Sequence, residues 1–273
     1  MDQANLWNQL LVWPITNILI GFYKLCEWAH IPGPLGFAII FMTIAIRLLL
    51  YPLMHKQLSS AKKMNDLKPH LDALSVKHKD DKTALSQAQM ALYKEHGVNP
   101  MEGCLTTIIQ FPILIALYNV FYSLLGSTDI QAFAGTINKI LYFPFLHLTT
   151  LDTSFFGMNI MTKPSEWQTQ GWWLLAIPVI TGLLQFVQSK LMMPQKQPSA
   201  VSVQPSDKKS KDLAVANKEP EKKDDMMEMQ KQMMLMMPIM FGFFAYGLPV
   251  GLALYWNVFG LFGIIQQLQV NKK

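Results

Sequence analysis

The chain contains a single arginine, Arg47, and it sits inside an apolar run from Leu35 to Leu53. A lone charge in hydrocarbon costs at least ~2.5 kcal/mol on insertion scales. No Asp or Glu lies in this run or in the other long apolar stretches, so no carboxylate within them can neutralise Arg47. Its charge must be met by water, lipid phosphate, backbone carbonyls or something that arrives. Two readings follow. Arg47 lies only ~8 Å along a helix from Pro52, close enough to snorkel to headgroups. Alternatively it is a fixed positive charge in a water-filled concavity that opens inward and attracts acidic groups on a partner. Other polar side chains interrupt apolar stretches: Thr106, Thr107, Gln110 and Asn119, then Thr181, Gln185 and Gln188, then Asn257, Gln266 and Gln267. Gln185 and Gln188 are three apart and share a helical face. Interhelical hydrogen bonding, ~1 kcal/mol or less apiece, accounts for each of these singly. Gln266 and Gln267 read as boundary residues at the cytoplasmic end. Arg47 together with Gln185 and Gln188 is the set that asks for a cavity.

Catalytic chemistry finds little to work with. All six His lie outside the apolar stretches, so no Ser-His pair forms within a bilayer. There is no intramembrane Asp pair for an aspartyl protease and no Gly-x-x-x-x-Gly-Lys loop for a nucleotide. Cys26 and Cys104 are far apart in sequence, with neither a CxxC nor a His at ligand spacing, which argues against a zinc site or redox pair. The expectation is a non-enzyme with no catalytic residues, no cofactor and no metal. A carboxylate-coupled transporter would hold an intramembrane Asp or Glu. The 23 cationic side chains include only that one arginine, so the bidentate phosphate and guanine contacts of nucleic-acid binders are not expected either.

The elements that carry these residues follow from composition. Of 273 residues, 51% are hydrophobic and 15% charged, where soluble domains run near ~25% charged. Mean hydropathy is +0.21. The fold class expected is all-α, a polytopic membrane protein with five transmembrane helices. They cover residues 34–54, 104–126, 171–191, 229–248 and 250–270. Gly247-Leu248-Pro249 divides the last apolar block into two spans. The fourth span is short, ~24 Å, and needs a thinned bilayer or an extension by the helix before it. Lysines set the orientation: eight from Lys56 to Lys94, nine from Lys190 to Lys231, and Lys272 and Lys273, against only Lys24, Lys139 and Lys163 on the other side. The positive-inside rule then puts the N-terminus outside and the C-terminus in the cytoplasm. Residues 1–33 read as an outer amphipathic helix rich in interfacial aromatics, with a sixth span as the alternative.

Residues 55–103 read as a cytoplasmic helical hairpin. Asn65, Asp66 and Pro69 restart a helix near Lys68, Asp80-Asp81-Lys82 makes the turn, Thr83 to His96 forms the second helix, and Gly97 ends it. Residues 127–170 form an outer loop, 192–228 a disordered cytoplasmic loop, and 271–273 a tail. Eight methionines between Met226 and Met240 suit a surface that holds varied apolar helices.

Five stretches resemble the YidC-type membrane protein insertases of bacteria, mitochondria and chloroplasts. They are Ala45-Ile-Arg-Leu-Leu-Leu-Tyr-Pro-Leu53, Leu92-Tyr-Lys-Glu-His-Gly-Val-Asn-Pro-Met101, Gln110-Phe-Pro-Ile-Leu-Ile-Ala-Leu-Tyr118, Leu183-Leu-Gln-Phe-Val-Gln188 and Pro249-Val-Gly-Leu-Ala-Leu-Tyr-Trp256 with Ile265-Gln-Gln267. The resemblance implies a five-helix core around a hydrophilic groove, open to the cytoplasm and to lipid and closed outside. Arg47 falls on the family's groove arginine. Gln185, or Gln188 one turn on, and Trp256 fall on other groove positions, with Gln110 and Asn257 as further candidates. The implied function is insertion of nascent membrane proteins, moving short hydrophilic tails across the bilayer and releasing the helix sideways into lipid. Implied partners are nascent membrane proteins, the lipid bilayer, the Sec translocon, the signal recognition particle pathway and the ribosome. The location implied is the bacterial plasma membrane. Unlike some relatives, the chain is expected to have no large outer domain, lipoprotein signal or long basic C-terminal tail. An assembly scaffold without insertion activity and a small-solute transporter are the alternative functions.

Overall fold

A computed structural model describes residues 5–79, 81–99, 102–125, 130–192 and 225–272. After a π-helical turn at Asn8–Val12, α1 runs over Trp13–Trp28 and α2 over Pro34–Leu49. The two pack closely together, joined by a link in which Gly33 takes a left-handed φ of 76°. Then come α3 (Tyr51–Asp66), α4 (Lys68–Lys77), α5 (Lys82–Glu95), α6 (Glu102–Leu125) and α7 (Ile130–Asn138). An irregular segment with a two-stranded hairpin, Ser154–Phe155 against Met158–Asn159, leads to the short α8 (Trp167–Gln170). The long helices α9 (Ala176–Met192), α10 (Asp225–Gly247) and α11 (Val250–Lys272) close the chain.

The helix break at Gly247-Leu248-Pro249 lies where expected, and α10 carries the methionine stretch continuously into the short apolar segment Met236–Gly247. The first apolar run differs from the single span expected over 34–54. It bends by 66° between Pro34–Leu49 and Tyr51–Asp66. Pro52 has no N–H to return to the Leu48 carbonyl and its ring crowds the preceding turn, so the helix stops at Leu49 and restarts. Among the described residues, three helices are long and apolar enough to cross a membrane, Asn8–Trp28, Trp172–Leu191 and Val250–Lys272, with the bent pair as a fourth. Phe111–Ser123 and Met236–Gly247 are shorter apolar helices. Asn8–Trp28 thus has the dimensions of the alternative reading, a further span. Its inner face, with Leu19, Ile20, Tyr23 and Cys26 buried, packs on α2 and α6.

Residues 55–99 are largely helical, and the break between their first two helices is not where the sequence suggested. Leu67, not Asn65 or Asp66, is the residue between α3 and α4, and no side chain caps the restart. Leu67 is buried, so packing of an apolar side chain sets the break rather than capping. Asp81 caps α5, its carboxylate accepting from the Thr83 and Ala84 amides at 3.0 and 2.9 Å. Gly97, at φ 60°, ends it. The Gly97 amide donates to Lys94 O and the Val98 amide to Tyr93 O, a Schellman close. Asp80 and Pro100 of the expected turns, and most of the expected cytoplasmic loop at 192–228, lie outside the described residues.

Helix α11 is the hub, touching α2, α3, α6, α9 and α10. The core around it includes Ile39 and Met42 of α2, Leu117 and Phe121 of α6, and Leu252, Tyr255 and Phe259 of α11. Helices α9 and α10 cross most tightly, where Gly182 faces Gly242: a Cβ on Gly242 would lie 3.2 Å from Pro178 O and 3.8 Å from Gly182 Cα.

At the end of the bundle holding the N-terminus of α11, the irregular segment is tied down by side chains. Asn17 of α1 donates to Ile140 O and accepts from the Tyr142 amide, at 2.9 and 2.7 Å. Asn138 exchanges both its amide bonds with Leu148. Tyr23 accepts from the Asp152 amide at 3.0 Å. The segment in turn serves α11, whose first amides have no partners within their own helix. Val250 N–H donates to Thr162 O at 2.9 Å and Gly251 N–H to Ile160 O at 2.8 Å. Phe155 packs onto the start of α2, where a Cβ on Gly36 would collide with its ring.

Candidate functional site

The site forms where α2 meets α11. Residues four and seven apart on a helix share one face, and Phe259, Gly263 and Gln266 are such a set. Arg47 of α2 lies on that face and is 3% exposed. Its Nη1 donates to Gln266 Oε1 at 3.0 Å. Its Nη2 donates to the Phe259 carbonyl oxygen. The guanidinium also lies over the Phe259 ring, with Cζ 3.4 Å from the centroid. Nε is buried without a partner among the described residues.

Gly263 makes this possible. A side chain one turn beyond Phe259 would shield its carbonyl. A Cβ at Gly263 would sit 3.1 Å from Arg47 Nη2 and 2.8 Å from Gln188 Nε2. So α9 brings Gln188 to the same gap, and donor groups from two helices converge on one glycine. The one ion pair among the described residues is Lys24–Glu27, in α1. Arg47 is therefore held by neutral acceptors, and the locality keeps a net positive charge.

Both sequence readings of Arg47 are modified. It does not snorkel into solvent, and at the guanidinium the expected concavity is filled by α11. A backbone carbonyl, one of the ways considered, meets its charge together with Gln266. Gln266 was read as a boundary residue; it is 6% exposed and is the arginine's side-chain partner. Gln267 beside it is also buried, with Nε2 donating to Asn271 Oδ1 and Oε1 without a partner among the described residues.

The other expected site residues disperse. Gln185 is half-buried on α9, one turn from Gln188, and has no recorded bond to Arg47. Trp256 stacks edge-on against Phe241 of α10, with centroids 4.3 Å apart, and so joins α10 to α11. Asn257 is two residues before Phe259, ~160° round the helix from the arginine face, and its buried Oδ1 has no partner among the described residues. Gln110 is on α6, but its side chain lies outside the described part of the structure. Thr181 returns its hydroxyl to Ile177 O in its own helix, as bland a role as its residue type allows. Phe259 and Gly263 were missed. Their only sequence signal was the spacing of an aromatic, a glycine and a glutamine on one face of an apolar helix.

The C-terminal end of α11 is tied to α3. Tyr51 Oη donates to Gln269 Oε1 and Lys62 Nζ to Val270 O, both at 3.3 Å. Helix α3 is thereby joined to the last turns of α11.

Comparison with known proteins gives this geometry its context. A family model described as 60Kd inner membrane protein matches residues 28–273. The membrane protein insertase YidC of Rickettsia felis is 30% identical over 266 residues, which is 97% of this chain and 39% of that protein. Membrane protein insertase YidC 1 of Halalkalibacterium halodurans is 29% identical over 269 residues, 97% of this chain and 79% of that protein. The chain thus spans well under half the length of its Rickettsia relatives. A crystal structure of an active YidC insertase with its first transmembrane domain resolved shares the fold, with a TM-score of 0.52 at 23% identity, covering 96% of this chain and 46% of that one.

Proposed function

We propose, for a chain that belongs to the 60Kd inner membrane protein family of YidC-type insertases, that it inserts nascent membrane proteins by a physical rather than a chemical route. A short hydrophilic tail of the client enters from the cytoplasm between α2, α9 and α11. Arg47 favours tails that carry carboxylates, because an anion there regains part of the solvation it loses. The client's apolar helix meanwhile partitions sideways into lipid, which drives the step without nucleotide. The short apolar stretch of α10 favours a locally thin bilayer, and the methionines along that helix hold client helices loosely. The orientation that goes with this places the N-terminus outside and the C-terminus in the cytoplasm of a bacterial plasma membrane. The hairpin of α3 to α5 would receive clients, with the Sec translocon, signal recognition particle pathway and ribosome as upstream partners. Gln185, Gln188, Trp256, Gln110 and Asn257 remain proposed groove positions around Arg47.

The observation that supports this reading is Arg47 itself: a buried cation in an apolar helix with no carboxylate beside it. The test is insertion into liposomes containing only this protein. The client is a single-span protein with a short acidic tail, scored by protection from protease. Wild type should insert above empty liposomes, Arg47→Ala less, and Arg47→Glu least. Insertion insensitive to position 47 removes the arginine's role. No insertion by folded wild type moves the function to a scaffold, or, if solute flux is measured, to a transporter.

A further inference from the structure

We propose that Gln266 and the Phe259 carbonyl form a resting latch on Arg47, and that only a client carboxylate displaces it, so that Gln266 sets the acidity a tail must have to be accepted. The inference rests on the insertion reading above and adds a gate to it. A constitutive anion receptor would present its arginine. Here the guanidinium is 3% exposed, with Gln266 on one nitrogen, the Phe259 carbonyl on the other and the Phe259 ring on its face.

The latch is built from weak competitors. An amide oxygen and a peptide carbonyl are neutral acceptors. A carboxylate in the same place makes shorter charge-assisted bonds and can span two nitrogens at once. The latched arginine is also one acceptor short, since Nε has none among the described residues. Gln188 Nε2 and Arg47 Nη2 both crowd Gly263, where a Cβ would sit 2.8 and 3.1 Å from them, so a carboxylate finds room and a second donor only where the latch groups have withdrawn. A client carboxylate would gain Nε, an Nη and the Gln188 amide. A neutral tail would offer nothing that Gln266 and Phe259 do not already give. The exchange is therefore selective for anions, whereas an open arginine would also accept neutral polar tails. All the latch contacts lie on one face of α11, so a small displacement of that helix breaks them together.

The test uses the full chain in liposomes. Because Arg47 is the only arginine, modification by phenylglyoxal reports its accessibility alone. Without client, wild type should be modified at least tenfold more slowly than arginine in an unstructured peptide. Gln266→Leu should be modified at least fivefold faster than wild type, and Gln266→Glu more slowly still. Insertion is then measured for tails with zero, two and four carboxylates. Gln266→Glu should lose insertion of the acidic tails at least tenfold, because its own carboxylate occupies the arginine. Gln266→Leu should insert the two-carboxylate tail at least threefold faster and discriminate less against the neutral one.

Wild-type labelling at the peptide rate overturns the latch, and so does equal labelling in wild type and Gln266→Leu. Faster labelling with slower insertion in Gln266→Leu also overturns it, because that pair is the mark of loosened packing. If instead Arg47→Ala inserts acidic tails as well as wild type, the role of Arg47 in insertion fails, whatever position 266 does.

Discussion

Replacing Asn17 with alanine isolates one of the ties that hold the irregular segment onto α1. Asn17 is 7% exposed, so water does not readily substitute for it. Its loss leaves two backbone groups without their cross-element partner, the buried Ile140 carbonyl and the part-buried Tyr142 amide. The third bond, to Trp13 O, matters less, because that carbonyl keeps its helical partner. A buried orphan costs ~1–3 kcal/mol, and the part-buried Tyr142 amide, which water can reach, costs at most that, so ~6 kcal/mol is the ceiling on the anchoring lost. The Tyr142 amide reports its own share of this. At ~1.4 kcal/mol per factor of ten, its hydrogen exchange should speed by ~5- to ~100-fold. The assay is exchange followed by mass spectrometry on the protein in nanodiscs, with Asn17→Leu as a variant that restores volume but not hydrogen bonding. Both variants should free Tyr142, while the Leu148 amide, held by Asn138 instead, should stay slow. Wild-type exchange at Tyr142 in Asn17→Ala would refute the argument, and rescue by leucine would show that packing, not the amide, does the holding.

Gly251→Ala should destabilise the bundle by ~1–3 kcal/mol, because its Cβ would meet the buried Phe121 ring, 2.2 Å from Cζ; thermal unfolding in detergent reads this, and Phe121→Leu should partly restore it. Gly242→Leu should force α9 and α10 apart at Gly182 and Pro178; a fluorescence change at Trp256, which loses its packing on Phe241, would report it. Asp81→Ala removes the cap of α5 and should cost ~1 kcal/mol of local stability, seen as faster protease cleavage near Lys82.

The sequence made the punctuation of this chain readable. Gly247 to Pro249, Asp81 and Gly97 act through backbone chemistry that belongs to their residue types, and each lies at a helix end. It was also clear that Arg47 needed a partner, because its cost in an apolar helix does not depend on the fold. The partner was not clear. A backbone carbonyl has no residue-type signature, and a glutamine near a helix end looks the same whether it faces headgroups or a buried guanidinium. The bend at Leu50 was hidden because hydropathy counts apolar residues without regard to direction, and the run from Leu35 to Leu53 is apolar on both sides of Pro52. The ties of Asn17, Asn138 and Tyr23 join residues up to 129 positions apart, beyond any local pattern.

The backbone bonds at Val250 and Gly251 also have a mechanical meaning. They hinge α11 at one end, while Tyr51 and Lys62 grip the other, so the helix is a lever 23 residues long. At ~1.5 Å per residue, Gln266 is ~24 Å from the hinge and Phe259 ~13 Å. A swing of ~10° would carry Gln266 ~4 Å and Phe259 only ~2 Å, with the motion growing toward the hairpin. Work done on α3 would reach the arginine as travel, while the hinged end of α11 stayed in place.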